Sequence, residues 1–279
     1  MPSPSLSLVG FLAEPEAIGH LRSGCVRPAN TSDADLSAIW AGAAQKLGAP
    51  FANAGNPAIL PLPAAGVAHV HALTQQPWVQ PALQQGALVG ASFQMVEIDP
   101  LLAFQFTVDT ARSGHHNGGA VAAPTLDELL NICLPHAQSV EQIQIHQAPG
   151  SMMLSSRSLN LRMLAQGFLH GAFLGMHVGL ALPFVQVVRH NGRCYLHNGF
   201  HRSVGLRARG ATHVPCVLRD VADHEAVGLR PGTFSPQLME SNNPPTVGHF
   251  TQGRALDVSL KAYHRTLHIS WAEYATTHD

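Results

Sequence analysis

Apolar residues recur at helical spacing early in the chain: Leu36, Ile39, Trp40, Ala43, Ala44 and Leu47 share one face. Ser32 and Asp35 stand before them in capping-box spacing and Gly48 follows, so a helix is predicted over 33–47. A second helix is predicted from Thr125, with Glu128 three residues on and Leu126, Leu129, Leu130 and Cys133 facing inward. Strands are predicted at Ser92–Ile98, continuing past Pro100 through Leu101–Val108, at Val140–His146 and at Val214–Leu218. Two more fall between Leu256 and Tyr274, where Leu267, Ile269 and Trp271 alternate onto one face. Phe184–His190, Asn191-Gly192 and Arg193–His197 predict a hairpin, because a two-residue type I′ turn needs positive φ at both positions. A short helix around His201–Arg209 follows, and Gly210 ends it.

Looser structure is predicted elsewhere. Residues 1–30 hold Pro2, Pro4, Pro15 and Pro28 and read as an irregular arm, while 49–90, with six prolines, reads as short strands and turns. Ser113–Gly119 reads as a flexible loop, and Ser155–Gln166 as a helix carrying Arg157 and Arg162. From Met163 to Val188 there is no charge, and Gly167, Gly171, Gly175 and Gly179 recur every four residues, as in packed membrane helices. His170, His177 and Pro183 interrupt that run, so a buried segment is expected rather than a membrane span.

Composition narrows the class. At 279 residues the chain makes one large domain or two small ones, and 46% apolar residues exclude disorder for most of its length. Lys+Arg 16 against Asp+Glu 17 gives a net charge of −1, which disfavours a stand-alone DNA binder held by counterion release. All the basic residues but Lys46 and Lys261 are Arg, whose planar fork suits phosphate and carboxylate. The 18 His make charge climb steeply below about pH 6.5. Cys25, Cys133, Cys194 and Cys216 form no C-x-x-C pair, and no basic n-region precedes an apolar run, so a cytoplasmic setting is expected.

The chemistry concentrates in Val185–Leu218. There a hairpin delivers the chain to Asn198-Gly199, which opens a helix with His201 and Arg202 in its first turn. Unpaired N–H groups at a helix start favour an anion, and the two side chains add directed donors, so the expected ligand is a phosphate. Glu97 and Asp99, at alternating positions, are candidates for a general base or metal-anchoring pair. Ser156 and Arg157, at the start of the expected helix over 155–166, are candidates for a second contact to the same anion.

This segment resembles the ParB/sulfiredoxin-like superfamily through Gly199, His201, Arg202, Leu206, Gly210, Val214, Pro215 and Val217, over about 35 of the 279 residues. Met95–Pro100 is similar to the "I-D-P" region of sulfiredoxin-like members. The resemblance implies an α+β fold: a ParB/sulfiredoxin-like mixed β-sheet core over 91–225 with flanking helices and a helical insertion at about 110–183. An N-terminal extension over 1–90 and a C-terminal β extension over 226–279 would flank it. Superfamily members include CTP-binding chromosome-partition proteins, ATP-using sulfiredoxins, free-serine kinases and some nucleases, with the Gly and the His-Arg pair cradling phosphates. Phe200 stands where sulfiredoxins carry their reactive Cys, which excludes sulfinic acid repair, and Asn198 stands where kinase-like members often carry an acid.

The leading expectation is therefore nucleotide-dependent phosphotransfer or hydrolysis of ATP or CTP, with or without Mg²⁺. Asn198, Gly199, His201 and Arg202 would hold phosphates, helped by Arg157 and Ser156, with His201, Glu97 or Asp99 in catalytic roles. The alternatives are a non-catalytic regulator, switched by a nucleotide or small anion, that acts on DNA or a protein partner, and a metal-dependent phosphodiesterase or nuclease. Replacing Arg202 with Ala is expected to abolish binding with little change in melting temperature.

Overall fold

A computed structural model describes residues 3–28, 30–85, 88–116, 122–137, 143–156, 161–169, 173–229, 232–261 and 265–272. The chain is α+β. It opens with β1 (Ser3–Ser7), a 3-10 turn at Val9–Phe11, α1 (Glu14–Gly24) and α2 (Asp33–Lys46). The expected irregular arm is thus regular: Pro15 lies in the first turn of α1, where a missing N–H costs nothing, and Pro4 lies outside the stretch that pairs with β4 below. α2 forms as predicted, with both halves of the Ser32/Asp35 capping box made and Leu36 and Ala43 buried. Next come β2 (Ile59–Pro61), α3 (Ala64–Thr74) and α4 (Gln80–Gln85). Here the prolines punctuate rather than prevent helices, since α3 fills the proline-free stretch after its N-cap, Pro63.

β3 (Ser92–Glu97), β4 (Thr107–Asp109), α5 (Thr110–His116) and α6 (Leu126–Cys133) follow. The expected loop at Ser113–Gly119 is helical up to His116, and its remainder lies outside the described residues. Asp109 starts that helix by accepting the Arg112 N–H at 2.9 Å. β5 (Gln144–Ala148), β6 (Ser151–Ser156), β7 (Leu161–Leu169) and β8 (Phe173–Leu180) replace the helix expected over 155–166, so the insertion over 110–183 is helical only as far as Cys133 among the described residues. The chain continues with β9 (Gln186–His190), β10 (Arg193–Asn198), α7 (Phe200–Ala208), β11 (His213–Asp220), α8 (His224–Val227), α9 (Pro236–Glu240), α10 (Val247–Thr251), β12 (Leu256–Leu260) and β13 (Arg265–Ser270).

Two compact units result. The first comprises 1–136 and 184–262, and the second 137–183 and 263–279. In the first, a five-stranded sheet has the order β10-β9-β11-β3-β2, with β9 and β11 parallel and the other pairs antiparallel. A three-stranded antiparallel sheet, β12-β1-β4, stands apart from it. Val96, Ile98, Leu102, Val187, Leu196 and Val214 are fully buried, each contributing about 1.5–3 kcal/mol. α7 joins β10 to β11 and packs against α5, α6 and α10.

The second unit holds the antiparallel sheet β13-β6-β5 and the β7–β8 hairpin. Its glycines belong to strands: Gly167 and Gly175 are paired across the hairpin and Gly179 faces Arg162, while Gly171 lies outside the described residues. Spacing by four is even, and so keeps residues on one face of a strand as readily as on one face of a helix. Among the described residues, no helix is long and apolar enough to cross a membrane.

Candidate functional site at the start of α7

The β9–β10 hairpin turns at Asn191 (φ 49) and Gly192 (φ 76), the type I′ turn its sequence predicts. It delivers Asn198, whose side-chain amide donates to the Phe184 carbonyl at 3.1 Å, and Gly199, left-handed at φ +100. A Cβ on Gly199 would lie 2.8 Å from Val185 Cγ2 and 3.2 Å from Val185 Cα, so both conformation and space demand glycine. The Gly199 carbonyl accepts the Ser203 N–H at 2.8 Å and starts the nine-residue α7. Phe200 turns inward edge-on to Phe104 at 5.4 Å. The amides of Phe200, His201 and Arg202 thus form a first turn that intrahelical bonds cannot satisfy.

His201 is half-buried, whereas Arg202 is only 8% exposed. One Arg202 amino group donates to the Ile132 carbonyl at 3.2 Å, in the last turn of α6. Burial pulls the Arg202 pKa down and pushes the neighbouring Cys133 thiol up to about 12, so the thiol stays neutral beside a cation. Arg209, just past α7, meets the other end of α6: its Nε donates to the Ala122 carbonyl at 2.9 Å and an amino group to Glu128 at 3.1 Å. Glu128 is also the capping-box acid of Thr125. α6 therefore runs antiparallel to α7, tied at each end by an arginine.

Two residues contribute that the expected set of phosphate-holding residues leaves out. Arg209 is the first. The second is His197, whose Nδ1 lies 2.8 Å from the Val227 carbonyl and so carries the proton, leaving Nε2 as an acceptor. Gly228, at φ +103, closes against it, since a Cβ there would lie 3.4 Å from the His197 ring. Its alternation two residues before Gly199 was the available signal, but the carbonyl that orients the ring comes from a distant loop.

The other candidates lie elsewhere. β3 ends at Glu97, so Asp99 is past the strand and the expected pair on one strand face does not form. Glu97 accepts the Ala58 N–H at 3.0 Å. Asp99 accepts a two-pronged bond from Arg207, both distances 2.9 Å, in the last turn of α7. Asp99 thus serves the opposite end of the helix from His201 and Arg202 and Glu97 serves the Ala58 backbone, so the two do not fit a role holding Mg²⁺ at the phosphate turn. Among the described residues, no three His, Cys, Asp or Glu side chains gather as metal ligands. Ser156 is buried at the end of β6 in the second unit, not at a helix start, and Arg157 lies outside the described residues.

No family model, curated protein or solved structure matches the chain. Functional evidence therefore rests on the geometry at Gly199 and on the residues of the segment itself.

Proposed function

We propose that the chain binds a nucleotide by its phosphates at the start of α7, as the ParB/sulfiredoxin-like resemblance of Val185–Leu218 suggests. The observation that carries this reading is the left-handed Gly199, pressed onto Val185, which opens a helix with His201 and Arg202 in its first turn. A phosphate there would meet amide donors and the positive end of the helix dipole without rearranging the backbone. His197, with its tautomer set by Val227, is the nearest oriented imidazole in sequence.

The positions of Glu97 and Asp99 favour a regulator that binds nucleotide over a phosphotransferase, because each carboxylate offered for a catalytic role is engaged elsewhere, by Ala58 and by Arg207. The test is calorimetry with ATP, ADP, CTP, GTP and pyrophosphate, with and without Mg²⁺, on the wild type and on His201→Ala. Binding to the wild type, weakened roughly tenfold in the variant, is expected. Failure of all five ligands to bind would overturn the reading. A single-turnover assay then separates switch from enzyme: a regulator holds the nucleotide without releasing phosphate over minutes.

A further inference from the structure

We propose that the cleft between the end of α1 and the start of α2 binds a small phosphate monoester, at a site independent of α7. The cleft measures about 310 Å³, at the small end of ligand sites, and is lined by Arg22, Cys25, Arg27, Thr31 and Lys261 among others. Three of the sixteen Lys and Arg residues thus meet on one wall that carries no carboxylate, in a chain whose net charge is −1. Such clustering focuses positive potential on the cleft.

The three cations are not equally committed. Arg22 bridges to Asp33, outside the cleft wall. Lys261 lines the cleft and donates to the Ser23 carbonyl at 2.9 Å, which fixes its ammonium group while leaving two of its protons for a ligand. Arg27 is the decisive residue. Its Nε and one amino group, the edge that grips oxyanions two at a time, are shielded from water and meet no oxygen acceptor, the guanidinium having only the Cys25 thiol beside it. A thiol accepts only weakly and leaves such donors poorly satisfied, and turning that edge onto a phosphate in the cleft supplies oxygen acceptors instead. Burial raises the Cys25 pKa while the charges of Arg27 and Lys261 and a hydrogen bond with Arg27 pull it back, so both cations stand near the same thiol. A fork plus a point charge around a small volume matches a compact dianion better than a single carboxylate.

The test titrates inorganic phosphate, glycerol 3-phosphate and glycerol into the full chain, with wild type, Arg27→Gln, Lys261→Gln and His201→Ala compared. Both phosphates should bind the wild type with a Kd of about 1 mM or tighter and raise its melting temperature, while glycerol does neither. Arg27→Gln should weaken binding roughly tenfold, and to the same extent on the wild-type and the His201→Ala background, which separates the cleft from α7. Lys261 is exposed, so Lys261→Gln folds whatever happens to Arg27→Gln, and it too should weaken binding. Absence of phosphate binding, or binding that survives both cleft substitutions, overturns the proposal. Binding lost only in His201→Ala would assign the phosphate to α7, which overturns this proposal while sparing the reading of that helix.

Discussion

Gly199 answers to two constraints at once, a left-handed backbone and a neighbour at van der Waals limit, so Gly199→Ala should destabilise the fold by about 2 kcal/mol, measured by urea unfolding. Arg202 carries a structural duty besides any ligand. Because it is buried and bonds the Ile132 carbonyl, Arg202→Ala should cost about 1–3 kcal/mol, seen as a clear drop in melting temperature. The sequence places this Arg at a helix start, where its replacement is expected to abolish binding with little change in melting temperature. What it lacked was burial, which depends on α6 folding back over α7. His201 is half-buried where Arg202 is buried, and for this reason its replacement is the milder probe of ligand binding.

At the scale of elements, α7 is a strut with different partners at its two ends. Arg202 and Arg209 bind α6, while Arg207 bonds Asp99 in the turn after β3. Asp99→Asn should lower stability by about 1 kcal/mol, modest because the pair is partly exposed, and leave nucleotide affinity untouched. A matching fall in affinity would return Asp99 to the phosphate turn. Elements defined by neighbours in sequence were legible: both capping boxes, the Asn191-Gly192 hairpin and the Gly210 stop all appear where local chemistry puts them. Elements defined by remote partners were not. Ser151–Ser156 is a strand because β5 and β13 flank it, and β13 lies more than a hundred residues away. α5 was missed for a smaller reason, that its cap, Asp109, directly follows an apolar stretch that reads as strand.

For the whole molecule, histidine burial sets the acid response. His249 is fully buried between Phe11 and Phe51, and burial together with the nearby Arg254 lowers its pKa to about 4. Burial also lowers His20, which packs edge-on to Phe106. Because the folded state holds His249 neutral while the unfolded chain takes up a proton near pH 6.5, its stabilisation is complete above pH 6.5. It is lost as pH falls towards 4. Urea unfolding across that range should show a loss of about 3 kcal/mol from His249 alone, and His249→Gln should flatten the profile. The three-stranded sheet of the first unit adds a constraint in time. β1 is its middle strand, paired with β4 on one edge and, roughly 250 residues later, with β12 on the other. At ribosomal speeds of about 5–20 residues per second, one edge of β1 waits tens of seconds for its partner to be synthesised. During that interval a newly made chain carries an open strand that another nascent copy can occupy, so yield in the cell should depend on chaperones that cover it and on slow, dilute expression.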